Sequence, residues 1–316
     1  MLLQRRLGLA SLVANVVIVV TGGAVRLTSS GLGCPTWPRC TDASYRTTPE
    51  MGVHGVIEFG NRTFTFVLVV IAGAAMLAAL FVRPRRRALI LLSAAVVVGI
   101  VAQAVIGGLI VHNALDPALV GLHFVVSMLL ILATFAYWRA AGAPDGPSRP
   151  LVPRPLRLLT WLTVGAAGAV VLVGVLVTGS GPHAGDAAAN RNGLDPQAIA
   201  QVHADLVFLL IGLSVGLWFA MRAGAAPTAA VRAAGVLVAV ELAQGLIGFV
   251  QYFTGLPEIL VGVHLLGACL VWIAALSVLW STRERVAPAP ADPAVSVATD
   301  ADELRERGTQ TARSAG

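Results

Sequence analysis

The 316-residue chain contains no lysine and little charge of either sign: charged residues make up 12% of it, against 57% hydrophobic. Soluble domains carry about a quarter charged residues, so a soluble globule is excluded and a membrane protein is indicated. Cysteine is scarce at three residues, which excludes a disulfide-rich secreted scaffold. The apolar content also excludes a disordered or fibrous chain. Aromatics are 6% of the residues and do not interleave the basic clusters, so nucleic acid is not expected as a partner.

What is present is a succession of long apolar runs. A spanning helix takes roughly 20 residues, and such runs lie at about 7–25, 56–82, 88–111, 118–138, 158–178, 199–221, 229–253 and 258–280. The bilayer is therefore the chain's solvent. All 22 basic residues are arginine, and they exceed the 16 acids to give a net charge of +6. Arg5 and Arg6, Arg83 and Arg85 to Arg87, Arg139, Arg149, Arg154, Arg157, Arg222, Arg232, Arg283 and Arg285 flank the spans on one side, whereas the other holds Arg26, Arg39, Arg46 and Arg191. The positive-inside rule puts both termini in the cytoplasm and the connections 26–55 and 179–198 outside, in a multi-pass protein of the cell membrane. The opening MLLQRR and its apolar run have the look of a secretory signal. The run is long and lacks a small-x-small cleavage site, so it is read as a retained span. From about Val286 the chain is rich in Ala, Pro, Asp and Arg, and a disordered cytoplasmic tail is expected over 286–316.

An internal repeat organises the spans. Residues 103–123 read QAVIGGLIVHNALDPALVGLH and residues 244–264 read QGLIGFVQYFTGLPEILVGVH, each beginning with Gln and ending with His. An offset of about 141 residues carried back along the chain sets IEFGNR at 57–62 against IAQVHA at 199–204, and TGGAVRLTSSG from Thr21 matches TGSGPHAG from Thr178 loosely, at a longer offset. Four spans per half enter the membrane in the same sense. The expected fold is an all-α membrane protein of eight transmembrane helices in two pseudo-symmetric four-helix bundles. Its parts are an N-terminal bundle over 1–140, a cytoplasmic linker over 141–157 and a C-terminal bundle over 158–285.

Three of the six histidines, His123, His203 and His264, fall inside spans at similar depth, a costly placement unless they pair, line a cavity or bind something. His203 and His264 can face each other across the second bundle, as axial ligation of a haem iron requires. The first bundle offers His123, but the repeat partner of His203 is Asn61, which is not a usual haem ligand. His54 shares that helix face about 10 Å nearer the outer surface. A zinc site fits poorly, because no carboxylates or thiols stand at ligand spacing.

Glu58 and Arg62 have only Ala200 and Ala204 as repeat partners. Glu58, one turn from Asn61, points into the first bundle, where it either pairs with Arg62 four residues on or moves protons. Asp205, Glu241 and Gln244 are read as structural polar contacts. Cys34 and Cys40 lie in the outward loop GLGCPTWPRC, where a disulfide is favoured over free thiols. Cys269 reads as a small buried hydrophobe.

The segment TGGAVRLTSSGLGCPTWPRC, the EFGNR stretch, the two Gln-to-His repeats and His203 together resemble the haem A synthase family, over about residues 5–282. The resemblance implies an oxidoreductase that converts the C8 methyl group of haem O to a formyl group, giving haem A for terminal oxidases. It implies haem b as cofactor between His203 and His264, the substrate haem O in the first bundle on His123, and Glu58 as the acid of an E-x-x-H-R motif. Here that motif reads E-F-G-N-R, so Asn61 stands where the family has a histidine. His123 is then expected to ligate the substrate alone, or with His54. Arg26 and Arg62, near the outer face, are candidates for pairing with haem propionates. The electron donor is unidentified, contact with the farnesylating enzyme that makes haem O is an expectation, and homo-oligomer formation is left open. The competing readings are a di-haem electron-transfer protein, which calls for a ligand pair in both halves, and a transporter, which calls for broken spans at the midplane.

Overall fold

The computed structural model describes residues 2–287, and they include eight helices long and apolar enough to cross a membrane. In chain order these are α1 (Leu2–Leu27), α2 (Gly52–Phe81), α3 (Arg87–His112), α4 (Pro117–Ala141), α5 (Arg154–Ser180), α6 (Pro196–Ala223), α7 (Thr228–Phe253) and α8 (Glu258–Ser281). The protein is a multi-pass, all-helical membrane protein. Each helix overruns its apolar stretch at one or both ends, since hydropathy marks the lipid-buried length while the backbone winds on to a stop signal.

Those signals are local. Asp116 caps α4 by accepting from the N–H groups of Ala118 and Leu119, both at 3.0 Å, and Asp195 caps α6 by accepting from Ala198 at 2.7 Å. In each case proline follows at the first helical position, where its missing N–H costs nothing. The α3–α4 and α7–α8 turns repeat one conformation: Ala114 and Leu115 have φ of 48° and 62°, and Gly255 and Leu256 have φ of 79° and 61°. Leucine rarely adopts this left-handed region, so its recurrence in both halves extends the sequence repeat to the backbone.

Helices α1 to α4 pack in one ring, α1 against α2 and α4, and α3 against α2 and α4; α5 to α8 form a second ring in the same order. The rings meet where α8 lies against α1 and α4, and α4 against α5. Leu12, Val19, Met128, Ile131 and Phe135 there form one cluster with Cys269 and Leu276. The Trp272 indole N–H donates across the seam to the Met128 carbonyl at 3.1 Å. Large apolar side chains such as Phe66, Leu91, Leu246 and Ile259 point outward, as a lipid-facing exterior requires.

Two polar ties brace the seam at opposite ends. At the arginine-rich end, β1 (Ser148–Pro150), within the connection read as a linker, pairs antiparallel with β2 (Arg283–Arg285), with Arg149 opposite Glu284. Strands of three residues, Ser-Arg-Pro and Arg-Glu-Arg, are too short to carry a periodicity, so this ribbon is invisible in sequence. At the arginine-poor end, the N–H of Gly31 donates to the Gly185 carbonyl at 2.9 Å. The tail read from Val286 lies, beyond Ala287, outside the described residues.

Candidate functional site

His123, His203 and His264 sit six or seven residues from the first residues of α4, α6 and α8, which all start at the arginine-poor end, so the rings occupy one level. Each ring is half-buried, and each Nδ1 is enclosed without a hydrogen-bond partner. Buried polar atoms are normally paired, so three unpaired imidazole nitrogens at one level stand out. Imidazole nitrogen is a donor that suits iron. His203 on α6 and His264 on α8 belong to the second ring of helices, and His123 on α4 belongs to the first.

Glycines flank all three rings. A Cβ would stand 3.1 Å from His203 Cε1 at Gly174, 3.2 Å from His264 Cε1 at Gly248 and 3.8 Å from His123 Cε1 at Gly107. Gly107 and Gly248 are repeat partners, four residues after Gln103 and Gln244. Among the described residues no three or more His, Cys, Asp or Glu side chains converge.

Asn61, on the inner face of α2, accepts from the Thr21 hydroxyl of α1 at 2.7 Å. Asn61 also lines an open groove of about 290 Å³ between α1 and α2. His54 lies further out, its Nδ1 3.0 Å from the Ser30 hydroxyl.

Glu58 is buried at 5% exposure, and its oxygens are occupied. Oε1 accepts from Arg62 Nε at 3.0 Å and from the Arg62 terminal nitrogen at 2.5 Å, and Oε2 accepts the N–H of Cys34 at 2.7 Å. Arg62 also donates to the carbonyls of Cys34 at 2.9 Å, Thr36 at 2.8 Å and Arg39 at 3.3 Å. Cys34 and Cys40 are joined by a disulfide. The pair on α2 therefore clamps the disulfide loop over the arginine-poor end of the first ring. Spacing predicts the ion pair, but the loop contacts leave no signal because they come from backbone groups.

The remaining candidates are placed as follows. Arg26 donates to the carbonyls of Thr178 at 2.7 Å and His183 at 2.5 Å, so it ties the first ring to the end of α5. Glu241, 2% exposed, accepts from Ser214 at 2.8 Å, with Oε2 unpaired. Asp205 accepts from Gln201 at 2.7 Å on the surface of α6. Cys269 is buried as a free thiol at the seam between the rings. Sequence reading missed Thr21 and Ser214: isolated hydroxyls in apolar helices usually bond their own preceding turn, and nothing local distinguishes those that reach across.

The family model described as cytochrome oxidase assembly protein matches residues 5–201. The match begins in α1 and extends into α6, taking in the disulfide loop, Glu58, Asn61, Arg62 and His123. Two proteins of Thermus thermophilus, one from each of two strains and both named protoheme IX farnesyltransferase, are 27% and 26% identical over 290 residues. The alignment takes in 86% of this chain and 47% of theirs, so the chain spans about half the length of the curated relatives it matches. The chain belongs to the cytochrome oxidase assembly protein family, the family of haem A synthases.

Proposed function

We propose that this member of the cytochrome oxidase assembly protein family is a haem A synthase, which oxidises the C8 methyl group of haem O to a formyl group. What supports this reading is the placement of three imidazoles at one membrane level, His203 and His264 in the second ring and His123 in the first, each with an unpaired Nδ1. A pair suits a resident haem b with both axial positions filled, held by His203 and His264. A single histidine suits a haem that must enter, react and leave. Haem b, when bound, supplies one-electron transfer.

The chain's residues have separable tasks in this reading. His123 fixes the substrate iron from α4, and Asn61, held by Thr21, faces it from α2 without ligating. The disulfide loop, clamped by Glu58 and Arg62, roofs the site and limits water, which protects partly oxidised substrate. Glu58 Oε2 accepts the Cys34 N–H with one lone pair and keeps another on which a proton can be held, so the acid can relay protons with the loop in place. Arg26 and Arg62 keep the role of propionate partners open, since each now binds carbonyls that a carboxylate can displace. Arginine asymmetry supports a cell-membrane location with both termini in the cytoplasm.

Relatives about twice this chain's length carry the name protoheme IX farnesyltransferase. Haem O is a farnesylated haem, so handover from such an enzyme forms part of the proposal. The test is mass analysis of haems extracted from membranes of a haem O-producing host expressing the chain. Haem A is expected with the parent chain and lost with His123→Ala. Haem b alone beside untouched haem O would overturn the synthase reading in favour of electron transfer.

A further inference from the structure

In each ring a glutamine reaches across to the main chain of a histidine. Gln103 Nε2 on α3 donates to the His123 carbonyl at 2.9 Å, and Gln244 Nε2 on α7 donates to the His264 carbonyl at 2.8 Å. Gln103 also donates to the Ser127 hydroxyl at 2.6 Å, which itself donates to the His123 carbonyl at 3.0 Å. Both glutamine amide oxygens are buried without a partner, so each amide's hold is on the histidine-bearing helix alone. One turn further on stand Gly107 and Gly248, beside the rings. At Gly267 of α8 a Cβ would fall 1.7 Å from Gln244 Oε1, so that position admits the glutamine only as glycine.

A helical carbonyl already receives the N–H four residues on, so a second donor is not needed to satisfy it. Its effect is to fix one helix against its neighbour. Lipid gives packed helices no hydrophobic drive, and interhelical hydrogen bonds and close glycine contacts set their register. A slip of one residue would move a ring about 1.5 Å along the axis and rotate it about 100°. Pinning the histidine's own carbonyl removes that freedom at the residue where it matters.

We propose that Gln103 and Gln244, the latter together with Gly248, are positioning residues that set the placement of the His123 and His264 imidazoles. Each glutamine fixes a histidine's backbone, and Gly248 also leaves space beside the His264 ring that a Cβ at 3.2 Å would crowd, whereas a Cβ at Gly107 would make only ordinary contact with His123 at 3.8 Å. The inference rests on the haem reading above for its purpose, though the hydrogen bonds stand independently of it.

The test uses the full chain purified from a haem-producing host. Gln244→Met keeps the side-chain length and removes the donor; Gly248→Ala keeps the donor and crowds the ring. Both are expected to retain haem b while shifting its low-spin electron paramagnetic resonance g values and midpoint potential, and Gln103→Met to leave those values unchanged. Parental g values and potential in both Gln244→Met and Gly248→Ala would overturn the proposal. A parent chain that binds no haem would overturn the functional reading instead. The pin is then read in that apo-protein by infrared spectroscopy with 13C-carbonyl histidine: the labelled band moves to higher frequency in Gln244→Met if the bond exists, and an unmoved band overturns it.

Discussion

Glu58 on α2 receives the backbone N–H of Cys34 at 2.7 Å, so a buried carboxylate in a membrane helix is bonded directly to one half of a disulfide. The charge inside the first ring and the loop above it are thereby one unit. Arg62 completes that unit by engaging Glu58 and three loop carbonyls with one guanidinium fork. Lysine has a single nitrogen and could not span these acceptors.

Removing the arginine should cost more than a surface ion pair, because Glu58 would remain buried without its partner. Arg62→Ala is expected to lower stability by about 3 kcal/mol, read as a drop in Tm in detergent, with Arg62→Lys in between. A Tm equal to the parent's in Arg62→Ala would show that the clamp carries no load. Glu58→Gln keeps one acceptor oxygen but sets its amide N–H groups against Arg62 or Cys34, so Tm should fall as well, and haem A formation per folded protein should fall further if Glu58 moves protons.

The disulfide closes a short loop, for which chain-entropy arguments give about 2 kcal/mol. Cys34→Ser or Cys40→Ser should lose that amount and loosen the roof. Arg39 and Arg46, in or beside the loop, are trypsin sites. Faster cleavage there is expected in both variants, matched by reduction of the parent with dithiothreitol. Equal cleavage rates would mean that the Glu58–Arg62 clamp alone holds the loop.

Much of this was legible in sequence, and the unread parts share a cause. The eight spans, the all-helical fold and the Gln-to-His repeat follow from hydropathy and self-similarity, which are carried by side chains in order along the chain. The Glu58–Arg62 pair follows from helical spacing. The Cys34 N–H on Glu58, the Arg26 bonds to Thr178 and His183, and the β1–β2 ribbon depend on backbone groups from distant segments. Every residue carries these groups, so composition and spacing cannot reveal them. Thr21 and Ser214 were missed for a related reason, since a hydroxyl bonding its own helix reads the same as one bonding a neighbour.

Asn61 gives the sharpest spectroscopic prediction. With His123 as sole ligand, ferrous haem in the first ring should bind carbon monoxide, while haem held by His203 and His264 should not. Asn61→His supplies a second imidazole at the repeat equivalent of His203, and is expected to abolish carbon monoxide binding and convert that haem to a low-spin spectrum. A parent protein whose haems all refuse carbon monoxide would mean that a second ligand, such as His54, already fills the site.

Glycine substitutions test the packing with opposite signs. At Gly8 of α1 a Cβ would meet Trp138 Cα and Tyr137 Cδ1 of α4, both at 2.9 Å, so the helices cross there at backbone contact. The Trp138 main chain cannot yield without shifting α4, and the adjoining hydrogen bond from Tyr137 to Gln4 would shift with it. Gly8→Ala should therefore cost about 1–3 kcal/mol through overpacking. At Gly73 of α2 nothing lies within 4 Å of a built Cβ. Alanine there removes only backbone freedom, and a gain of roughly 0.5–1 kcal/mol is expected for a helix interior. The two Tm changes should differ in sign, and a gain at Gly8 would show that α1 and α4 are further apart than the structure places them.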